Sequence, residues 1–173
     1  IQYWNDNKKH GRWYRKVLNG YLEGNYANNL LDGPFAEYRN NKVVAEGRYS
    51  EGLRNGQWKH YDGNNLEVVE KWNNGNLIDR KVLIYSEKPQ MISTDEIAYF
   101  YPKGKKTVVI TMDGTTIMDE ENSHKLFEKV GEENFVTLNK EKQLVAAYRC
   151  IMGFEKDSDG KEYVNLSPKL SFN

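Results

Sequence analysis

The chain has 173 residues with 25 Lys+Arg against 25 Asp+Glu, so no global field draws it to nucleic acid or marks it for an acidic membrane. A mean hydropathy of −0.85 implies a thin core, no run of about 18 apolar residues offers a membrane span, and the single cysteine, Cys150, excludes an internal disulfide. Aromatic residues make up 13 %, with 12 Tyr among them, which argues against disorder because such rings supply burial that offsets chain entropy.

The chain opens at "IQYWNDNKKHG", without Met and already inside a repeat. This points to a fragment whose own N-terminus, with any signal, is missing, so the cellular address is unreadable; a mature fragment of an exported or cell-surface protein is one reading. Gly-x-aromatic triplets occur at Gly11-Arg12-Trp13, Gly33-Pro34-Phe35 and Gly56-Gln57-Trp58, so their glycines step by 22 and then 23 residues. Seven residues upstream of each glycine stand Trp4, Tyr26 and Tyr49, and Trp72 continues that series. A Tyr follows two of the glycines by five residues, at Tyr38 and Tyr61, while Lys16 breaks the rule in the first copy. Two anchors agreeing in step define a repeat. A fourth, degenerate copy follows, with Asp79-Arg80 near the glycine position, Val82 for the aromatic and Tyr85 for the tyrosine, as expected where an array ends.

Between anchors lie Asn/Gly/Asp clusters suited to tight turns, such as Asn73–Gly75 and Arg39–Lys42, separated by runs of strand length such as "VVAEGRY" and "LEVVEKW". Each unit of 22–23 residues therefore reads as a β-hairpin plus a turn to the next. The period-two rule puts Gly56 and Trp58 on one face and Tyr61 on the other, and groups Leu66, Val68, Glu70 and Trp72, and likewise Leu22, Gly24 and Tyr26. Glycines beside large rings let those rings lie over a neighbouring backbone. The anchors Trp4, Trp13, Tyr26, Phe35, Tyr49, Trp58 and Trp72, with Gly11, Gly33 and Gly56, thus form a structural column. Tyr38, Tyr61 and Tyr85, on the opposite face, are the candidate binding residues.

The run Tyr49, Gly52, Gly56, Trp58, Tyr61, Leu66, Trp72, Gly75 resembles the MORN family, specifically bacterial MORN-variant repeats. The resemblance covers residues 1–85, about half the chain. It implies a ribbon of stacked antiparallel hairpins in a binding or assembly module. Some such modules are membrane-associated, and some bacterial relatives look like antitoxin or immunity components. The sequence departs from the pattern at Asn64-Asn65, where Asn-Gly is expected, and at the lost fourth glycine.

Residues 86–96 break the pattern, and Pro89 with its polar surroundings reads as a linker. Residues 97–173 read as a small α+β segment covering the ribbon's end. It contains a hairpin turning at Pro102–Lys105, a turn at Asp113-Gly114, and one helix capped by Asn122 or Ser123 and stopped by Gly131. Strands separated at Asn139–Lys142 and Asp157–Gly160 complete it. A worn repeat with Tyr101 in the Tyr61 role is the alternative for its first hairpin. The expected fold class is mainly β, with hairpin repeats in an elongated twisted sheet followed by the α+β segment.

Chemical motifs are weak. "VVITMDGTTI" resembles the signature of haloacid-dehalogenase-like phosphatases, but Thr111 stands where the nucleophilic Asp is required, leaving Asp113-Gly114 as a turn. "DSDGKE" begins like a calcium loop, yet its twelfth position is Pro168 instead of Glu. His10, His60 and His124 have no zinc spacing, and Cys150 sits in an apolar run. No catalytic residue, metal site or cofactor is assigned. The reading is a non-catalytic protein-interaction or scaffold module with a protein partner, its membrane association not indicated by charge. The alternatives are a cell-surface glycan-binding protein and a hydrolase with its site in the C-terminal half.

Overall fold

A computed structural model describes residues 3–139 and 143–167 of the chain. Seventeen strands and one α-helix follow one another in it. A short hairpin pairs β1 (Trp4–Asn5) with β2 (Lys8–Lys9). Then come β3 (Gly11–Val17), β4 (Gly20–Ala27), β5 (Leu30–Arg39), β6 (Lys42–Ser50), β7 (Leu53–Asp62), β8 (Asn65–Asn73), β9 (Asn76–Ile84) and β10 (Gln90–Ser93), which lie in sequence order in one eight-stranded sheet. The chain divides into two compact units, Ile1–Arg80 and Lys81–Asn173.

The first unit is a meander whose turns follow from its Asn and Gly residues. Both central residues take positive φ at Asp6-Asn7, Asn28-Asn29, Asn40-Asn41, Glu51-Gly52 and Asn74-Gly75, the geometry that matches a tight turn to strand twist. The amides of Asn29, Gly52 and Gly75 donate to the carbonyls of Lys9, Leu31 and Arg54 at 3.0, 2.7 and 2.9 Å. These three turns are thereby each bonded to an earlier strand, and donors and acceptors alike keep the repeat step. Gly33 and Gly56, at φ +105° and +73°, lie in register shifts, where a left-handed backbone is needed.

This unit has almost no enclosed core. Among the described residues, only Trp13, Trp58 and Val68 of its apolar side chains are buried, against eighteen in the second unit. The face assignment from spacing holds for Val68, Glu70 and Trp72 but fails for Leu66. His60 pairs with Val68 and Tyr61 with Leu66, so Glu67 is a bulge residue and Leu66 falls on the Tyr61 side.

In the second unit, β9 pairs with β10 through Lys81–Ile84. The stretch expected to be a linker thus holds a strand and, at Thr94–Glu96, a 3-10 turn. Pro89, a breaker in the sequence, stands immediately before this strand of only four residues and conceals it. A second sheet runs β13-β12-β11-β15-β14, from β11 (Ile97–Lys103), β12 (Lys106–Thr111), β13 (Thr116–Asp119), β14 (Phe135–Asn139) and β15 (Leu144–Ala147). The β11–β12 hairpin therefore belongs to a different sheet from the repeats, and Tyr101 has no place in their tyrosine row. Helix α1 (Ser123–Val130) takes its N-cap from Asn122, whose side chain accepts from the Lys125 amide at 3.1 Å, and ends at Gly131. It buries Leu126 and Val130 in a core with Tyr99, Phe100, Val109 and Phe135. A hairpin of β16 (Ile151–Lys156) and β17 (Glu162–Leu166) turns at Asp157–Gly160 as expected. Of the expected Asn139–Lys142 turn, residues 140–142 lie outside the described residues.

Candidate functional site

The anchors converge on one face of the first sheet. The register sets Trp13 opposite Gly24, Gly24 opposite Phe35 and Phe35 opposite Gly47, so large and absent side chains alternate from strand to strand. Trp58 then lies over Gly47, and its indole N–H donates to the Arg48 carbonyl at 3.1 Å. The tyrosine anchors fill the spaces between. Trp13 meets Tyr26 at 5.6 Å, Phe35 meets Tyr49 at 5.5 Å and Trp58 at 5.6 Å, and Tyr49 stands edge-on to Trp58 at 5.1 Å. Ring pairs at these spacings add to the burial of area. Trp4 stands apart from this face, 60 % exposed on its own hairpin.

The next member of the glycine series Gly24, Gly47 is Glu70, a residue that spacing marked only by its face. Its carboxylate is buried and takes hydrogen bonds from Trp72 Nε1 at 2.8 Å, from Arg80 Nε and Nη2 at 3.1 and 2.8 Å and from Arg54 Nη1 at 3.3 Å, with His60 Nε2 at 3.2 Å. Burial pushes the Glu70 pKa up, but the bonds from His60, Trp72 and Arg80 outweigh it and hold the group at about 2. Arg54 lies 4.2 Å from the Trp58 ring and 5.1 Å from the Trp72 ring, roofing the column with a cation. A buried carboxylate so well satisfied closes the aromatic series and is suited to holding structure.

The opposite face carries Tyr38 and Tyr61 as expected, but neither presents a free row of rings. Tyr38 stacks on Tyr21 at 4.2 Å, Tyr21 meets Tyr14 at 4.9 Å, and the Tyr38 hydroxyl donates to Glu23 at 3.0 Å. The Tyr61 hydroxyl donates to Glu46 at 2.7 Å. Burial, then the Glu46 bond, raises Tyr61 to about 12, and burial with the Glu23 bond raises Tyr38. Both pairs are fifteen residues apart in sequence, so the Tyr–Glu bond is itself part of the repeat. Tyr85 departs from the pattern. It follows β9 in the second unit, its amide bonded to Asp119 Oδ1 at 3.0 Å and its ring 4.9 Å from Lys129 Nζ. Counting 23 residues from Tyr61 reaches the buried Ile84, so the tyrosine row does not extend to Tyr85.

Several open concavities flank the first sheet, two of them the larger. One of about 640 Å³ includes Arg12, Glu23, Tyr38, Glu46 and Lys59, and one of about 660 Å³ includes Lys9, Trp13, Arg15, Tyr26 and Tyr49. The second is aromatic with a basic rim, and inside this aromatic row the Trp13 indole nitrogen is buried without a hydrogen-bond acceptor.

The second unit holds a polar cluster that the motifs did not flag. Asp119 is fully buried and accepts from the Tyr85 and Glu121 amides, while Lys129 Nζ binds Glu121 and the Leu83 carbonyl. Burial raises the Asp119 pKa. Asp113 caps its own turn, bonded by Thr111 and the Thr115 amide. Asp157 does likewise, bonded by the Asp159 and Lys161 amides. Among the described residues, no group of three or more His, Cys, Asp or Glu could hold a metal ion, and no helix is long and apolar enough to cross a membrane. Comparisons with protein-family models, with curated proteins and with solved structures find no match.

Proposed function

We propose that the chain is a protein-interaction module of the MORN-repeat kind, acting through its first unit. The observation that carries this reading is the imbalance of burial: among the described residues, three buried apolar side chains in the first unit against eighteen in the second. A sheet held by rings lying on glycine needs no covering layer, so its faces stay open to a partner. Most of the exposed large apolar side chains lie there too, including Tyr3, Trp4, Tyr14, Leu18, Leu30 and Leu53. The tyrosine hydroxyls are already bonded to Glu23 and Glu46, which leaves contact by ring and backbone as the means of binding.

The test is site-specific photo-crosslinking of the full chain in extracts of its source cell. The crosslinker is placed at the exposed positions Tyr14, Leu30 and Leu53, with Met152 of the second unit as the control. Discrete protein adducts from the three first-unit positions, absent from Met152, are expected. Adducts confined to Met152, or none at all, would contradict the reading.

A further inference from the structure

We infer that a partner protein lays an acidic segment on the sheet face opposite the tryptophan column, with its carboxylates on Arg48, Lys59 and Lys71 around Gln57. The inference rests on the protein-binding reading above and names the partner's chemistry. The register gathers these four residues. Lys59 pairs with Glu46 on β6 and with Val69 on β8, and Gln57 pairs with Lys71. Arg48 lies two residues along β6 from Glu46, in an unbroken ladder with Pro34 and Ala36 of β5. Residues two apart on a strand share a face, so the three cations surround Gln57 with Cα atoms within about 10 Å of one another. Arg48, Gln57 and Lys71 are exposed and Lys59 is half-buried. Arg48, Gln57 and Lys59 also line the concavity of about 640 Å³.

Among the described residues, Arg48, Lys59 and Lys71 make no ion pair. The repeat does not need their charges. One step of 23 residues earlier, the positions of Arg48 and Lys59 hold Asn25 and Ala36. The acids of this face run Glu23, Glu46 and then Val69 at the same step, so the copy that gathers the cations is the one that loses its carboxylate. In the earlier copy Arg12 is neutralised by Glu23 at 2.9 Å. Glu46, the acid beside Lys59, instead accepts the Tyr61 hydroxyl at 2.7 Å. A partner carboxylate supplies the charge that Val69 lacks.

The kind of anion follows from what else lines the concavity. Glu23 and Glu46 stand in it, and the whole chain balances 25 basic against 25 acidic residues. A nucleic-acid backbone or a sulfated glycan carries charge along its whole length and has to cross those two acids, where like charges repel. A peptide places carboxylates against Arg48, Lys59 and Lys71 and uncharged residues against Glu23 and Glu46. Arg48 offers a two-pronged guanidinium bond to one carboxylate, and Gln57 offers its side-chain N–H groups beside it.

The experiment titrates the full, isotope-labelled chain with a synthetic peptide of alternating glutamate and glycine, and in parallel with a heparin fragment and a single-stranded oligonucleotide of similar charge. The peptide is expected to saturate and to shift the amide signals of residues 46–48, 57–59 and 69–71, binding more weakly as salt is raised. The triple change Arg48→Gln, Lys59→Gln and Lys71→Gln is expected to weaken binding by about tenfold. The charge-matched change of exposed residues elsewhere in the unit, Lys8→Gln, Arg15→Gln and Lys42→Gln, is expected to weaken it by less than about twofold. No shift at those residues under millimolar peptide, equal losses in the two triple variants, or tighter binding of the heparin fragment or the oligonucleotide than of the peptide would each overturn the inference. A protein captured by crosslinkers at Tyr14, Leu30 and Leu53, and captured equally well when Arg48, Lys59 and Lys71 are all changed to Gln, overturns it too, while the broader protein-binding reading stands.

Discussion

The Trp58 indole occupies the space a side chain at Gly47 would fill. A Cβ built on Gly47 falls 2.2 Å from Trp58 Cδ2. This one relationship explains how a ring becomes 1 % exposed in a sheet with so little core. The neighbouring backbone is its floor, Phe35 and Tyr49 are its walls, and Arg54 is its roof.

Two tryptophans that look equivalent as repeat anchors therefore differ in consequence. Trp58→Ala empties a closed site and strands the Arg48 carbonyl, and is expected to cost about 3–5 kcal/mol. Trp4→Ala, at a residue 60 % exposed, is expected to stay within about 0.5 kcal/mol. Urea unfolding of both variants checks the contrast.

Glu70 supplies a pH signature. Its folded pKa of about 2 lies below the ordinary 4.5, so the stability it contributes is present above about 4.5 and is lost as the pH falls toward 2. Glu70→Gln is expected to flatten that acid limb of the stability curve. At neutral pH it is expected to cost roughly 2–3 kcal/mol, less than a fully buried pair because the Arg54 and Arg80 side chains remain 35 % and 17 % exposed. Thermal unfolding between pH 2 and 7 reads both effects.

Tyr61 has the opposite sign. Its folded pKa of about 12 lies above the ordinary 10, so its contribution is full below pH 10 and fades as the pH rises toward 12. Tyr99 is raised by burial to about 12 as well, with Tyr101 and Cys150 adding to the shift. An ultraviolet titration of the folded protein should show a late tyrosinate component. Tyr61→Phe should shrink that component without abolishing it. A component of unchanged amplitude in the variant would mean that Tyr61 ionises with the exposed tyrosines.

The repeat was readable because its physics ties residue type to spacing. Turns and register shifts with positive φ need Asn or Gly at set intervals, so Gly33, Gly56 and the Asn pairs announce themselves, whereas Gly47, the seat of the Trp58 ring, was not singled out. The helix was readable for a similar reason, since Asn122 and Gly131 have distinct roles at its ends. Glu70 was not, because a glutamate in a glycine position reads as a solvated charge until its four partners are assembled from β7, β8 and β9. Leu66 was misassigned because a bulge adds a residue without any mark in composition. Tyr85 was misassigned because the last copy departs from the 23-residue step. Strand β10 was hidden by Pro89, whose signal as a breaker overrides a strand of only four residues.

The most direct test of the ring-on-glycine account is Gly47→Ala measured against Gly153→Ala. Neither glycine has a positive φ, so alanine brings no backbone strain at either place, and a Cβ at Gly153 meets nothing within 4 Å. Gly47→Ala is expected to lower the unfolding free energy in urea by about 2–3 kcal/mol with an unchanged slope, because the indole must leave its seat. Gly153→Ala is expected to do no harm. Equal stabilities for the two variants would contradict the claim that the sheet is held by rings lying on glycine.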